Sequence, residues 1–221
     1  MIDFSKTILF RGCTPEEIGS LLECMSARTE EFSKGSYIHR VGDRVSSIGL
    51  VLSGSVYIEN DDVWGNKSIL DTVQPGQVFA ESYACTPGAV LMINVVAAEN
   101  CRVLFMDVGR MLNVCGNSCR FHSRLIRNLL ETASRKNLNL SWRIFHTGAK
   151  TIRGRLLSYL SYQASGQGKR EFDIPFNRQQ LADYLSVDRS ALSAELGKMR
   201  SEGLLDFHKN HFVLKVSEQD G

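Results

Sequence analysis

One arginine stands among small side chains in the stretch 188–199, DRSALSAELGKM. Leu192, Leu196 and Met199 recur at helical spacing and mark an apolar face. The opposite face carries Arg189, Ser190, Ser193 and Ala194, with Lys198 further along. Guanidinium, hydroxyl and ammonium groups in that pattern can hydrogen-bond to base edges and phosphates. A DNA major groove is about 12 Å wide and accepts a helix whose flanks are small. Ordinary surface helices carry more bulk and more Glu and Lys. The plain alternative is a helical hairpin with a polar outside.

Such a helix must be held at a fixed angle, and the preceding residues supply the support. Asn177 and Gln180 stand at capping-box spacing, which predicts a helix start. Leu181, Tyr184 and Leu185 give that helix one apolar face. Asp188 is a second N-cap only a few residues on, and Gly203 is placed to end the second helix. Two helices joined by about three residues cross steeply, as in a helix-turn-helix. The segment LLDFHKNHFVLKV then offers two β-prone runs, Leu204–Phe207 and Phe212–Val216, around a polar turn at His208–His211. Two helices and a hairpin predict a winged helix-turn-helix.

The chain has 221 residues, a length suited to two domains. It is 43% hydrophobic and 23% charged, as globular proteins are. No stretch approaches the roughly 18 uninterrupted apolar residues a membrane span needs, and MIDFSKTILF does not read as a signal peptide. A cytoplasmic protein without a membrane partner is the expectation. The net charge is only +2, and the surplus falls within residues 146–221. Such a chain neutralises few phosphates, so non-specific DNA affinity should be modest. None of the six cysteines, Cys13, Cys24, Cys85, Cys101, Cys115 and Cys119, falls in a CxxC pair. That spacing argues against zinc and iron–sulfur sites and leaves buried free thiols or a regulatory Cys115–Cys119 pair. No metal and no cofactor are expected.

The first 105 residues read differently. Thr14 and Pro15 open one helix, with Ile18, Leu21, Leu22 and Met25 on its apolar side. Short strands follow, cut by Gly35, Gly42, Gly49, Gly54, Gly65 and Gly76, which predicts an all-β sandwich or barrel with tight corners. A long helical stretch then runs from about Asn117 to Phe145. Ile126, Leu130, Ala133, Asn137, Leu140 and Ile144 step by four and three, a coiled-coil seam containing one asparagine. An Asn at such a position fixes register and favours two strands. The predicted interface is that of a homodimer. Leu125, Leu129 and Leu138 add apolar area beside it.

From about Leu9 to Val216, VGDRVSSIGLVLSGSVYI, QPGQVFAES, the long helix, TIRGRLLSYL and the winged helix-turn-helix follow one another. That order of parts resembles the Crp/Fnr family of bacterial transcription regulators. The resemblance implies an α+β fold: a β-roll effector domain of cyclic-nucleotide-binding type over 1–116, a dimerisation helix over 117–145, and a DNA-binding domain over 146–221. It implies a two-fold symmetric double-stranded operator with half-sites about 34 Å apart, and RNA polymerase as a further partner, touched through patches such as the loop 165–170. Arg189 matches a base-reading arginine of the family, while Ser190 and Ala194 replace long side chains. Arg178 and Gln179 match family phosphate contacts at a helix N-terminus.

Departures from the family limit the effector. Cyclic-nucleotide-binding relatives carry a Gly-Glu pair and then an arginine followed by Ser or Thr. Here Glu81 remains, Ala80 replaces the glycine, and Leu91 and Met92 stand in place of the other two. Between Arg44 and Arg102 the only Lys or Arg is Lys67. A buried phosphate without a paired charge is costly, so cyclic AMP and cyclic GMP are excluded as expected effectors. The expected pocket, drawn from Glu81, Ser82, Tyr83, Leu91, Met92 and Asn137, suits a neutral or cationic small molecule, or no ligand at all. Cys13 alone does not make the cysteine cluster of the iron–sulfur relatives. His39 and His122 are the candidate axial ligands of a haem reading, and both are more simply core or surface histidines. Two other classes remain at this point: a regulatory module acting through a protein partner, which would show no salt-dependent DNA binding, and a cupin-like enzyme, which would need a His/Glu cluster within the strands.

Overall fold

The computed structural model describes residue 4 and residues 7–61, 67–112 and 120–215. Gly65 and the Cys115–Cys119 pair lie outside them. The chain divides into two compact units, Met1–Arg135 and Lys136–Gly221.

The first unit opens with helix α1, Pro15–Cys24. Thr14 and Glu17 satisfy each other's backbone N–H in a capping box, and Pro15 spends its missing N–H where none is needed. Strands β1 (Arg28–Phe32), β2 (Tyr37–His39), β3 (Ser47–Ser53), β4 (Val56–Asp61), β5 (Lys67–Val73) and β6 (Val78–Phe79) follow. A short helix α2 (Glu81–Ala84) interrupts them before β7 (Asn94–Ala97) and β8 (Cys101–Asp107). Helix α3 (Val108–Leu112) and the long α4 (Arg120–Thr147) come next. Neither α2 nor α3 is legible as periodicity, since each spans about one turn.

Two antiparallel four-stranded sheets result, ordered β1-β8-β3-β6 and β2-β7-β4-β5. Alternation along β8 builds two cores at once. Val103 and Phe105 point between the sheets, with Val51, Phe79 and Val95. Leu104 and Met106 point the other way, onto Ile18, Leu21, Leu125 and Leu129 of α1 and α4. Two glycines have distinct jobs. Gly49 lies inside β3, not at a corner, and a Cβ there would sit 2.2 Å from the Phe79 ring. Gly54 takes φ +71° in the β3–β4 turn, with the Asn100 carbonyl 2.4 Å from where a Cβ would be. Gly35, Gly42 and Gly76 also hold positive φ at corners.

The second unit contains the end of α4, then α5 (Ile152–Gln167), β9 (Glu171–Asp173), α6 (Arg178–Leu185), α7 (Arg189–Ser201), β10 (Leu205–His208) and β11 (His211–Leu214). Its core joins Leu156, Tyr159, Leu160, Leu181, Leu185, Leu192, Leu196, Met199 and Phe212. The polar turn narrows to Lys209–Asn210, because His208 and His211 pair across the hairpin; Lys209 takes φ +57°. The segment 165–170 is not simply a loop: Ser165–Gln167 close α5 and Gly168 is its left-handed cap. β9 adds a third strand against β11 that three residues of sequence did not announce.

Candidate nucleic-acid interface and effector site

α6 and α7 begin as their caps require. Asn177 and Gln180 form the capping box, Asp188 accepts from the Ala191 N–H at 2.9 Å, and Gly203 follows α7 at φ +76°. Each cap stabilises its helix by about 1 kcal/mol. Leu192, Leu196 and Met199 are fully buried. Arg189, Ser190, Ser193, Ala194 and Lys198 are all exposed on the other side of α7.

The hydroxyls on that face are partly engaged: Ser190 donates to the Asp188 carboxylate and Ser193 to the Arg189 carbonyl at 2.9 Å. At the start of α6 both long side chains turn back onto the fold. Gln179 donates to Asp183 at 2.9 Å. Arg178 donates to the Lys209 carbonyl at 3.2 Å and lies over Phe207 and Phe212, 4.9 and 5.8 Å from the ring centroids. Arg178 thereby ties α6 to the hairpin turn. A cleft of about 480 Å³ opens beside it, lined by Phe176, Asn177, Gln180 and Lys209 among others.

Some positioning groups carried no sequence signal. Arg153 of α5 makes a bidentate pair with Glu202 at 2.7 and 2.8 Å and a third contact to Glu195 at 2.6 Å, clamping two turns of α7. Arg200 pairs with Asp206 at 2.8 Å and covers Phe207 at 3.8 Å. Only the distant partners, invisible in the local pattern, tell these arginines from a DNA-facing one.

In the first unit, Glu81 is 5% exposed at the first position of α2. Ala80 caps that helix in the left-handed region, φ +62°, a conformation that glycine enters without the cost Ala meets. Ser82 is exposed and Tyr83 half-buried. Leu91 is fully buried; its N–H donates to the Asp43 carbonyl and its own carbonyl accepts from Gly42, both at 2.9 Å. Met92 is 71% exposed. Asn137 is exposed and belongs to the second unit. His39 packs edge-on against Phe79 and Phe105, and burial holds its imidazole below the ordinary value. His122 is buried. Burial also pushes the thiols of Cys13, Cys85 and Cys101 up, away from reactive thiolate; the charge of Glu81 adds to this at Cys85. Among the described residues no group of three His, Cys, Asp or Glu is disposed to hold a metal.

On α4, Leu125 and Leu129 face inward. Leu130, Leu140 and Ile144 are 66%, 59% and 71% exposed, Asn137 and Leu138 are exposed, and Ile126 and Ala133 are half-buried. No described helix is long and apolar enough to cross a membrane.

Family comparison fits this arrangement at both ends. A cyclic nucleotide-binding domain model matches residues 29–118, and a Crp-like helix-turn-helix domain model matches residues 154–218. The chain belongs to the Crp/Fnr family. Its fold is that of a DNA-binding transcription regulator with a sensory domain. Solved structures show the same Crp/Fnr architecture at low identity. The catabolite activator protein of Thermus thermophilus aligns at 20% identity over 95% of this chain and 94% of its own, TM-score 0.51. CprK complexed with OCPA aligns at 17% over 90% and 91%, TM-score 0.64. The c-di-GMP responsive regulator CLP of Xanthomonas campestris aligns at 16% over 92% and 100%, TM-score 0.56. A search of curated proteins found no match.

Proposed function

We propose that this regulator is a cytoplasmic homodimer that binds a two-fold symmetric operator and answers to a small molecule other than a cyclic nucleotide. The proposed division of labour is sensing by residues 1–116, dimerisation by 117–145 and DNA binding by 146–221. Arg189, with Ser190 and Ser193 beside it, is the proposed base reader; Lys198 is a proposed phosphate contact, as are Arg178 and Gln179 on leaving the partners they hold in the free chain. RNA polymerase is the proposed further partner.

The observation that carries the effector reading is Leu91. It stands where cyclic-nucleotide-binding relatives carry their phosphate arginine, and it is fully buried. Met92 beside it is apolar too. A cyclic phosphate at such a place would lose its hydration and gain no charge-assisted hydrogen bond. Glu81 remains as the polar anchor, which favours a neutral or cationic ligand. The raised thiols of Cys13, Cys85 and Cys101 favour a small molecule over a redox signal at those positions. The exposed apolar positions on α4 support dimerisation, since Leu130, Leu140 and Ile144 would otherwise stand in water.

A mobility-shift titration tests this reading. Expected are binding that weakens with salt and no change on adding millimolar cyclic AMP or cyclic GMP. A cyclic nucleotide that shifts the affinity tenfold would overturn the effector reading. Salt-independent or absent DNA binding would favour a module acting through a protein partner.

A further inference from the structure

Within the second unit, arginines from two helices converge on the backbone that ends α6. Arg143 of α4 donates from Nε to the Tyr184 carbonyl at 3.2 Å and from Nη2 to the Asp183 carbonyl at 3.0 Å. Arg155 of α5 donates from Nη1 to the Leu185 and Ser186 carbonyls, both at 2.9 Å. These carbonyls form the negative end of the helix dipole, where cations are favoured. Ser186 holds φ +54°, and Asp188, two residues on, caps α7. A shift at the end of α6 therefore passes directly to the start of α7, where Arg189 stands.

Nearly one turn beyond Arg143 on α4, His146 is fully buried. Its Nδ1 lies 3.0 Å from the Ser158 hydroxyl, and its Nε2 has no hydrogen-bond partner among the described residues. The ring stacks on Trp142 and is boxed by Tyr159 and Tyr162 of α5 and Tyr184 of α6, at centroid distances of 5.2 to 6.1 Å. Besides those phenols and the Ser158 hydroxyl, the charged group on this side is the Arg143 guanidinium, 5.9 Å over the Tyr184 ring. None of these groups is a carboxylate.

We propose that Arg143 is a positioning residue that latches the end of the long helix onto the DNA reader, and that His146, packed beside it, is a proton sensor: neutral, it leaves the latch closed, and a proton on it opens the latch. A protonated ring would bury a charge and leave a second N–H donor unpaired. Burial already holds the docked imidazole below its ordinary value of 6.5. The sign follows. The docked form holds fewer protons than the undocked one, so docking is fully favoured above pH 6.5. It is lost as pH falls from there through the lowered value. In that window DNA affinity drops by up to about tenfold per pH unit for each protomer.

The inference rests on the DNA-binding reading, and the test separates the two. Trp64→Phe leaves Trp142 as the sole tryptophan, since the chain has two. In that background, Trp142 emission without DNA is followed from pH 8 to 5. Affinity is followed by anisotropy at fixed salt over the same range, on DNA selected from a random pool by the parent protein. Expected are a Trp142 titration with a midpoint below 6.5 and an affinity loss sharing that midpoint. His146→Phe should keep the pH 8 affinity and flatten both profiles. Arg143→Ala should weaken binding at pH 8 at least tenfold, and Arg143→Lys should restore part of it. A flat Trp142 titration, a His146→Phe variant with the parent's pH profile, or an Arg143→Ala variant that binds like the parent would each overturn the latch. Should His146→Phe fail to fold, the Arg143 pair decides. Failure of the parent to select any DNA at pH 8 would sink the regulator reading, and the latch with it.

Discussion

Replacing Ile144 by alanine separates a dimer seam from a merely exposed helix. The side chain is 71% exposed in the single chain, so its truncation removes little from the protomer's own core. Three carbons are lost. Buried at about 0.8 kcal/mol each, they contribute about 2.4 kcal/mol. Scaling by the exposed fraction leaves about 1.7 kcal/mol of new burial per protomer, hence about 3.4 kcal/mol across a two-fold interface. At 1.4 kcal/mol per tenfold, the dimer should weaken by roughly 300-fold. Sedimentation equilibrium at micromolar concentrations reads the dissociation constant. Urea unfolding of the protomer should change by less than about 0.5 kcal/mol, as for an exposed site. An unchanged association constant with a destabilised protomer would refute the seam, because Ile144 would then be packed within its own chain.

Other substitutions probe the remaining readings. Asn137→Asp should weaken self-association at neutral pH, since two carboxylates would face each other across the seam; an unchanged dimer in sedimentation would move Asn137 out of it. Arg189→Ala should cost about 1–3 kcal/mol on selected DNA and relax preference at one base pair per half-site; an unchanged selected motif would mean that Arg189 touches phosphate alone. Ala80→Gly should stabilise the first unit by up to about 1 kcal/mol, because the relief of a left-handed alanine exceeds the added freedom of the unfolded glycine; a fall in thermal midpoint would show that the alanine methyl packs too well to lose.

What the sequence made legible was what local chemistry decides. The Thr14 and Asn177 capping boxes, the Asp188 cap and Gly203 lie where their spacing placed them, because a cap satisfies donors three residues away. The apolar faces of α6 and α7 follow from period alone. What stayed hidden depends on partners far along the chain. β9 is a strand only because β11 offers an edge, and Gly49 is a glycine because Phe79, thirty residues later, lies over it. The guanidinium of Arg178 lies on Phe207 and Phe212 of the hairpin, contacts that its place at a helix start does not announce. The roles of Arg143 and Arg155 are not written in the sequence, since their acceptors are backbone carbonyls that no side-chain pattern announces.

Selection from a random DNA pool, with the full chain at about 0.15 M salt and the stoichiometry of the bound duplex weighed, shows whether two copies of the chain read a symmetric operator. Expected are an enriched inverted repeat, half-site centres about 34 Å or one helical turn apart, and two protomers per duplex. A lone half-site held by one protomer, or a pool that emerges unenriched, would contradict that reading.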